Sequence, residues 1–282
     1  MASSSLPQAT LPVLRHPDNL LRQVSQAVYE AGQKIMHCYQ GDTDVIFKED
    51  NSPLTAADRA SHCFLLRALR DITPEIDVVS EESVEDHYRS FIERKSCWLV
   101  DPLDGTKEFI KGTNEFTVNA ALIQDMQPVL GIVHAPALGL TYYGQRKSGA
   151  WRQVGSDIAI PISTRRADRD RMEVVASKDH AGPLVSAMLA RLRNPQLQSL
   201  GSSLKFCLVA EGKADIYLRD LPTMEWDTAA AQCVVEAAGG GVYSLDGKAL
   251  LYGKPGLKNP AIMTIGDSRF DWRSLLDVVA AA

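Results

Sequence analysis

The sequence of 282 residues predicts a mixed α/β fold, and two observations indicate it. Residues 116–143 are strand-like and broken by turn signals, which is typical of an antiparallel block. After Asp157, strands and helices alternate, as in a layered α/β unit. The length and a hydrophobic content of 45% suit one large domain or two closely packed ones. We therefore predict a flexible lead over residues 1–16, an α+β unit over 17–155 and an α/β unit over 156–282.

The first half of the chain combines helices and short strands. Asp18 is a good N-cap, and apolar residues then recur at helical spacing until Gly41 ends the helix. A second helix is predicted from about Ala56 to Arg70. Short strands are predicted at Val45–Lys48, Asp77–Ser80 and Trp98–Val100, the last running into Asp101.

The second half alternates more regularly. Strands are predicted at Met172–Ala176, Ala214–Leu218 and Ala261–Ile265. Helices are predicted near Gly182–Arg193, Ser203–Glu211 and Thr228–Ala238.

Composition excludes several classes of protein. A net charge of -5 argues against a nucleic-acid-binding protein, although metal ions could still bridge an acidic chain to a small polyanion. The five cysteines are odd in number and form no C-x-x-C pair, so we expect each to be buried and reduced, as in the cytoplasm. No apolar run is long enough to cross a bilayer, and the first residues lack the pattern of a signal peptide.

The most informative motif is Asp101-Pro102-Leu103-Asp104-Gly105-Thr106, which follows a strand and opens a helix. Two carboxylates at such a turn can point the same way, and the Leu103 carbonyl adds an oxygen. Hard divalent cations prefer oxygen ligands, and the amides of Gly105 and Thr106 could receive a phosphate. Further carboxylates follow a strand at Glu81 and Glu82, and Asp227 lies just ahead of a predicted helix. Taken singly, each of these groups is more often a helix cap or a solvated turn.

Together these residues resemble the inositol monophosphatase superfamily of metal-dependent, lithium-sensitive phosphatases. Matching stretches in the family's order are Ser80–Glu82, Asp101–Thr106 and Trp226–Ala230. Lys48–Asp58 and Lys107–Phe109 resemble its bisphosphate nucleotidase branch, and Ser199–Cys207 resembles the CysQ type. The resemblance implies an αβαβα layered sandwich like that of fructose-1,6-bisphosphatase. It also implies hydrolysis of 3′-phosphoadenosine 5′-phosphate to AMP and phosphate, a step linked to sulfate assimilation.

The resemblance also implies a site that holds two to three Mg²⁺ ions. The implied ligands are Glu81, Asp101 and the Leu103 carbonyl for the first ion, and Asp101, Asp104 and Asp227 for the second, with a third ion near Glu81 through waters. The first unit would supply most of these ligands, and the second would complete the site and bind the nucleotide. Thr106, hydrogen-bonded to Asp58, would orient and deprotonate the attacking water, and Asp50 would assist. The implied catalytic set is thus Asp50, Asp58, Glu81 and Thr106.

On the substrate side, a bisphosphate needs a second anion site. Lys205 is the first candidate, supported by Ser202 and by the amides of a helix start, with Arg219 and His180 as further candidates. Without the family pattern, Lys205 would be interpreted as a solvated helix residue. One residue departs from the family: Ala231 stands where glycine is expected, which removes no ligand.

Two other functions stay open. The same metals with a different pocket would give an inositol or sugar phosphatase, and loss of catalysis would give a nucleotide sensor. The predicted partner is a small bisphosphorylated nucleotide and no nucleic acid. The predicted location is the cytoplasm, where the family also allows peripheral association with the inner face of the membrane. The oligomeric state is left open by the sequence.

Overall fold

A computed structural model describes residues 19–39, 45–47, 53–83, 96–176 and 183–272. The predicted N-terminal lead, Asp50 and His180 lie outside the described residues. The bounds of the described helices are Asn19–Tyr39 (α1), Ala56–Ile72 (α2), Thr106–Lys111 (α3), Pro183–Leu189 (α4), Leu204–Ala210 (α5) and Glu225–Ala237 (α6).

A seven-stranded sheet forms the first half of the fold. Its strands lie side by side in chain order: Val78–Ser80 (β3), Ser96–Asp104 (β4), Thr117–Gln124 (β5), Gln127–Ala135 (β6), Leu140–Gln145 (β7), Gly149–Val154 (β8) and Ile160–Ile162 (β9). β3 and β4 pair in parallel, and every later neighbour in this sheet is antiparallel. The predicted antiparallel block is therefore confirmed. Val45–Phe47 (β1) and Pro53–Thr55 (β2) form a separate small hairpin.

A five-stranded sheet forms the second half. Its strands, in spatial order, are Gln196–Ser199 (β11), Glu173–Ala176 (β10), Ile216–Arg219 (β12), Ile262–Ile265 (β16) and Gly241–Ser244 (β14). The first three run parallel, and β16 is antiparallel to both of its neighbours. Thr223–Met224 (β13) and Lys258–Asn259 (β15) form a short antiparallel pair, and β13 directly precedes α6.

Three clusters of buried apolar residues fill the spaces between the layers. α1 and α2 cover one face of the large sheet, where Trp98, Val100 and Leu122 are buried. α5 and α6 fill the space between the two sheets. The far face of the small sheet packs with Met188 of α4. The order helix, sheet, helix, sheet, helix confirms the αβαβα sandwich expected from the resemblance.

Several local predictions need correction. α6 begins at Glu225, so Asp227 lies inside its first turn and not ahead of it. Cys63 is exposed on the outer side of α2, whereas Cys97, Cys207 and Cys233 are buried, and all five cysteines are free. Strand β9 at 160–162 belongs to the first sheet although it follows the predicted boundary. The division into two units stays a prediction.

Candidate metal and phosphate site

The pairing of β3 with β4 places the first two acidic positions side by side. Ser80 lies opposite Val100 in this parallel pair, so Glu81 and Asp101 follow directly at the same edge of the sheet. The side chain of Asp101 is only 2% exposed. Asp101 thus places a carboxylate inside the buried strand β4, in a mostly apolar setting.

An irregularity in β4 then turns Asp104 toward the same region. Asp101 pairs with Asn119, but Asp104 pairs with Thr117, so three steps along β4 match two steps along β5. Such a bulge bends the strand and re-aims its side chains. Gly105 follows with φ +91°, and a Cβ there would lie 3.2 Å from the carbonyl oxygen of Glu115. Glycine is required at this turn because other residues rarely adopt the left-handed conformation.

Asp227 reaches the site because α6 lies unusually close to the large sheet. A Cβ on Gly131 would lie 2.3 Å from the carbonyl oxygen of Ala230, and one on Gly144 would lie 2.7 Å from that of Cys233. Small residues on both surfaces therefore allow the backbones to approach. Asp227 Oδ2 accepts a hydrogen bond of 2.8 Å from the backbone N–H of Met224, which caps the helix start. Ala231, where the family pattern has glycine, is buried in this layer.

Asp104 is held by neighbours that the sequence did not single out. Its Oδ2 accepts hydrogen bonds from Ser203 N at 2.6 Å and from Ser203 Oγ at 2.8 Å. The Asn119 amide and the Thr117 hydroxyl donate to the same oxygen at 3.3 Å each. Thr117 and Asn119 are two positions apart on β5 and buried, which could have identified them as polar residues on one face of an otherwise apolar strand. Ser203 lies within the CysQ-like stretch Ser199–Cys207, but no local pattern marked it as a contact of Asp104.

The carboxylates interact electrostatically. Burial raises the pKa of Asp101 well above its usual value, and the charges of Glu81, Asp104 and Asp227 raise it further. Burial likewise raises the pKa of Asp227, followed by the charge of Asp104. Like charges within a few ångströms of one another disfavour ionisation of each group. A positive charge among them would reverse this effect, because it favours the ionised forms.

The chemistry of these donors fits a divalent cation, although the side chains do not form a ready metal cage. Within the described ranges, no three His, Cys, Asp or Glu side chains are arranged to hold a metal ion together. One oxygen of each aspartate accepts a hydrogen bond from the protein, as in the 3.0 Å bond from Leu103 N to Asp101 Oδ1. No described residue donates to the second oxygen of Asp101, Asp104 or Asp227. Oxygen donors of this kind are the ligands that Mg²⁺ prefers.

Thr106 and Asp58 lie together beside the aspartate motif. Thr106 Oγ1 lies 3.2 Å from Asp58 Oδ1 and 3.2 Å from the Leu103 carbonyl oxygen, and its single proton can be donated to only one of them at a time. Asp58 also completes the capping box of α2, accepting from the backbone N–H of Thr55 at 2.7 Å. Burial raises the pKa of Asp58, while the bonds from Thr55 lower it. The expected hydrogen bond is present, and the catalytic role of the pair stays a prediction.

A pocket of about 200 Å³ adjoins the carboxylates. Its lining includes Asp104, Gly105, Ser202, Lys205, Arg219 and Asp227. The structure thus brings two predicted metal ligands and four predicted substrate-binding residues to one cavity. These residues come from four separate stretches of the chain: 104–105, 202–205, 219 and 227.

Lys205 is buried, contrary to the ordinary interpretation of a helix lysine. The residue is 6% exposed, and its ammonium donates to the carbonyl oxygens of Ser202 at 2.7 Å and Leu200 at 3.2 Å. Burial lowers the pKa of Lys205 to about 8, and the neighbouring Arg219 lowers it too, whereas Asp104 raises it. A buried cation that is satisfied mainly by carbonyl oxygens is well suited to accept an anion.

Ser202 differs from its neighbour Ser203. Ser202 has φ +50°, and its Oγ is buried with no hydrogen-bond partner among the described residues. Ser202 therefore lines the pocket with a hydroxyl that no described residue engages, while the Ser203 hydroxyl is engaged with Asp104. Arg219 Nε donates to the Leu221 carbonyl at 3.3 Å and also lines the pocket.

Comparison with known proteins identifies the family. The profile described as the inositol monophosphatase family matches residues 16–273. The chain belongs to the inositol monophosphatase family. The 3′(2′),5′-bisphosphate nucleotidase CysQ of Salmonella typhimurium is 44% identical over 240 residues, which cover 83% of this chain and 94% of that protein. The chain is accordingly a phosphoric monoester hydrolase.

Solved structures agree with this assignment. CysQ from Bacteroides thetaiotaomicron is 37% identical, with a TM-score of 0.78 over 89% of this chain and 98% of that one. An IMPase of Thermotoga maritima is 23% identical, with a TM-score of 0.76 over 94% of this chain and 99% of that one. At this identity the likeness is evidence for the fold only. Members of the family are generally magnesium-dependent. Within the described residues, no helix is long and apolar enough to span a membrane.

Proposed function

We propose that this chain is a Mg²⁺-dependent 3′(2′),5′-bisphosphate nucleotidase that converts 3′-phosphoadenosine 5′-phosphate to AMP and phosphate. One observation supports it most: Asp104 and Asp227 line the same pocket as Lys205 and Arg219. A substrate with two phosphates needs acidic residues that gather cations at the reacting phosphate. It also needs basic residues for the phosphate that is retained. The relatives named as CysQ nucleotidases support the same choice.

The cations are assigned to the acidic cluster. Glu81, Asp101, Asp104, Asp227 and the Leu103 carbonyl would hold two to three Mg²⁺ ions. When bound, divalent ions lower the pKa of water and offset the charge of the phosphate. The protein contributes by holding the carboxylates. Asp104 is fixed by Ser203 from outside the sheet, and Asp227 by the first turn of α6.

Thr106 and Asp58 are assigned to the attacking water. When Thr106 Oγ1 donates its proton to Asp58 Oδ1, its lone pairs can accept a hydrogen bond from the water and orient it. Asp58 then takes the proton through Thr106 as the water attacks. Burial favours this proton on Asp58, because it raises the pKa of that carboxyl. Asp50 is proposed to assist, although it lies outside the described residues.

The retained phosphate is assigned to the buried cation. Lys205 already lies with its ammonium over the carbonyl oxygens of residues 200 and 202, so little side-chain entropy remains to be lost on binding. Ser202 Oγ and Arg219 would complete the anion site, and Gly105 permits close approach at the other end. His180 is proposed as a further substrate contact outside the described residues.

The decisive experiment measures phosphate release from a panel of substrates with Mg²⁺, with a chelator and with added Li⁺. The panel contains 3′,5′- and 2′,5′-bisphosphates, an inositol monophosphate and fructose bisphosphate. We expect Mg²⁺-dependent release that is fastest for the nucleotides and abolished in Asp104→Asn. The control Asp71→Asn, an exposed aspartate at the end of α2, should keep full activity.

Each competing function predicts a different result. Equal or faster release from the inositol or sugar phosphate would replace the nucleotidase by a sugar phosphatase. Tight nucleotide binding without release of phosphate would make the chain a sensor. The proposal places the enzyme in the cytoplasm and omits membrane association, for which the described residues offer no support. Its partner is the small nucleotide.

A further inference from the structure

Ser203 connects three separate elements at the acidic cluster. Its backbone N–H donates to Asp104 Oδ2 at 2.6 Å, and its Oγ lies 2.8 Å from the same oxygen. The Oγ also lies 3.0 Å from the carbonyl oxygen of Asp227. On the opposite side, it accepts a hydrogen bond of 2.9 Å from the Asn119 amide. The residue therefore joins the end of β4, strand β5 and the first turn of α6.

Ser203 occupies the N-cap position of α5, but its side chain does not cap the helix. Ser203 is the residue before α5, where a serine hydroxyl ordinarily accepts from a backbone N–H of the first turn. Here the side chain makes no such bond with α5. It is 1% exposed, and its hydroxyl is directed to Asp104 and Asp227 instead. A good helix cap has been replaced by contacts to the acidic cluster.

We propose that Ser203 is a positioning residue that holds Asp104 and the first turn of α6, with Asp227, in place as a cation site. We also propose that Asn119 orients the Ser203 hydroxyl. This inference rests on the proposed function. With Oδ2 of Asp104 occupied by Ser203, the carboxylate is prevented from rotating, and its Oδ1 stays in one place for a cation. Since the Ser203 hydroxyl has a single proton, it bonds either Asp104 or the Asp227 carbonyl, and acceptance from Asn119 leaves this proton to those two oxygens.

The same contact explains why the anion site and the cation site lie in one pocket. Ser203 lies between Ser202, whose Oγ has no described partner, and Leu204 at the start of α5, which carries Lys205. A shift of this turn would move the retained-phosphate residues and release Asp104 together. Groups that orient metal ligands typically change metal affinity or activity by about 10- to 100-fold when they are removed.

The test measures Mg²⁺ binding to the metal-free full-length protein by calorimetry, without substrate. Ser203→Ala keeps the backbone N–H donor and removes only the hydroxyl, so we expect binding to be about 10-fold weaker. Ser203→Thr, which keeps a hydroxyl, should restore most of the affinity. Ser202→Ala is the matched control, because the neighbouring hydroxyl does not contact Asp104, and its Mg²⁺ affinity should equal that of the wild type.

A second variant keeps the test independent of folding at position 203. Asn119→Ala should weaken Mg²⁺ binding as well, and the double variant with Ser203→Ala should lose less than the product of the two single effects. Urea unfolding with a chelator checks that each variant is folded. Mg²⁺ affinity within twofold of wild type in both folded single variants overturns the role of Ser203. A wild type that binds no Mg²⁺ would instead overturn the proposed function.

Discussion

Replacing Lys205 by Met removes the positive charge of the anion site while keeping a long side chain. In the structure Lys205 is 6% exposed and its ammonium donates two hydrogen bonds to backbone carbonyls, so it is already ordered. A hydrogen bond to a charged group contributes about 1.5–3 kcal/mol, and each 1.4 kcal/mol is about tenfold in an equilibrium constant. We therefore expect kcat/KM for the bisphosphate to fall by about 10- to 100-fold.

The assay compares two substrates that differ only in the retained phosphate. Phosphate release is measured for a 3′,5′-bisphosphate and for the matching 3′-monophosphate, in wild type and in Lys205→Met. Loss of binding energy from a remote group lowers kcat/KM for the bisphosphate alone. The control is Arg22→Met, because Arg22 is an exposed residue of α1 and does not line the pocket.

The reasoning would be refuted by equal losses on both substrates, because Lys205 would then act on the reacting phosphate or on folding. It would also be refuted by unchanged kinetics on the bisphosphate. The Mg²⁺ affinity of the metal-free variant distinguishes these two causes. If the variant is folded, removal of a neighbouring positive charge should leave its Mg²⁺ affinity unchanged or slightly improved. A urea unfolding curve identifies a general loss of stability.

Three further measurements test separate contacts. Since burial lowers the pKa of Lys205 to about 8, kcat/KM for the bisphosphate should fall as the pH rises through that value, relative to the monophosphate. Gly201→Ala should reduce thermal stability and activity, by about 1–3 kcal/mol in unfolding free energy, because a Cβ would lie 2.8 Å from the Glu115 carbonyl oxygen. Burial lowers the pKa of His134 to about 4 from 6.5, so stability is complete above pH 6.5 and is lost as the pH falls toward 4, by about 3 kcal/mol. Unfolding of His134→Gln should show a flatter pH dependence over that interval, and its activity at pH 7 should match that of wild type.

The acidic motif could be predicted from the sequence because each of its parts has a local cause. Asp101 follows a run of apolar residues inside β4, which extends to Asp104 and thus beyond the predicted end at Val100. Gly105 marks a turn that only glycine adopts easily, and α3 begins at the next residue. The alternation of strands and helices after Asp157 could be predicted for the same reason, whereas the order of the layers was implied by the family resemblance. These features depend on neighbours within a few residues along the chain.

The start of α6 shows where local signals are insufficient. Asp227 was expected ahead of the helix as a possible N-cap, since aspartate is favoured there. The structure uses Met224 as the N-cap, and Asp227 lies three residues later, bonded back to the Met224 N–H. The close contact of Ala230 with Gly131 sets this position. That contact joins residues about one hundred positions apart, and no helix signal reports it.

The different contacts of Ser202 and Ser203 also depend on residues that are distant in the sequence. Ser202 and Ser203 are adjacent and chemically identical, and helix rules favour either as a cap for α5. Tertiary packing alone places Ser203 in contact with Asp104 and Asn119, while Ser202 lines the pocket with no hydrogen-bond partner for its hydroxyl among the described residues. A motif therefore identifies which residue types meet in the site, but the division between residues that contact the substrate and residues that hold the ligands depends on tertiary packing. The Mg²⁺ affinities of the Ser202→Ala and Ser203→Ala variants are the measurements that separate these two roles.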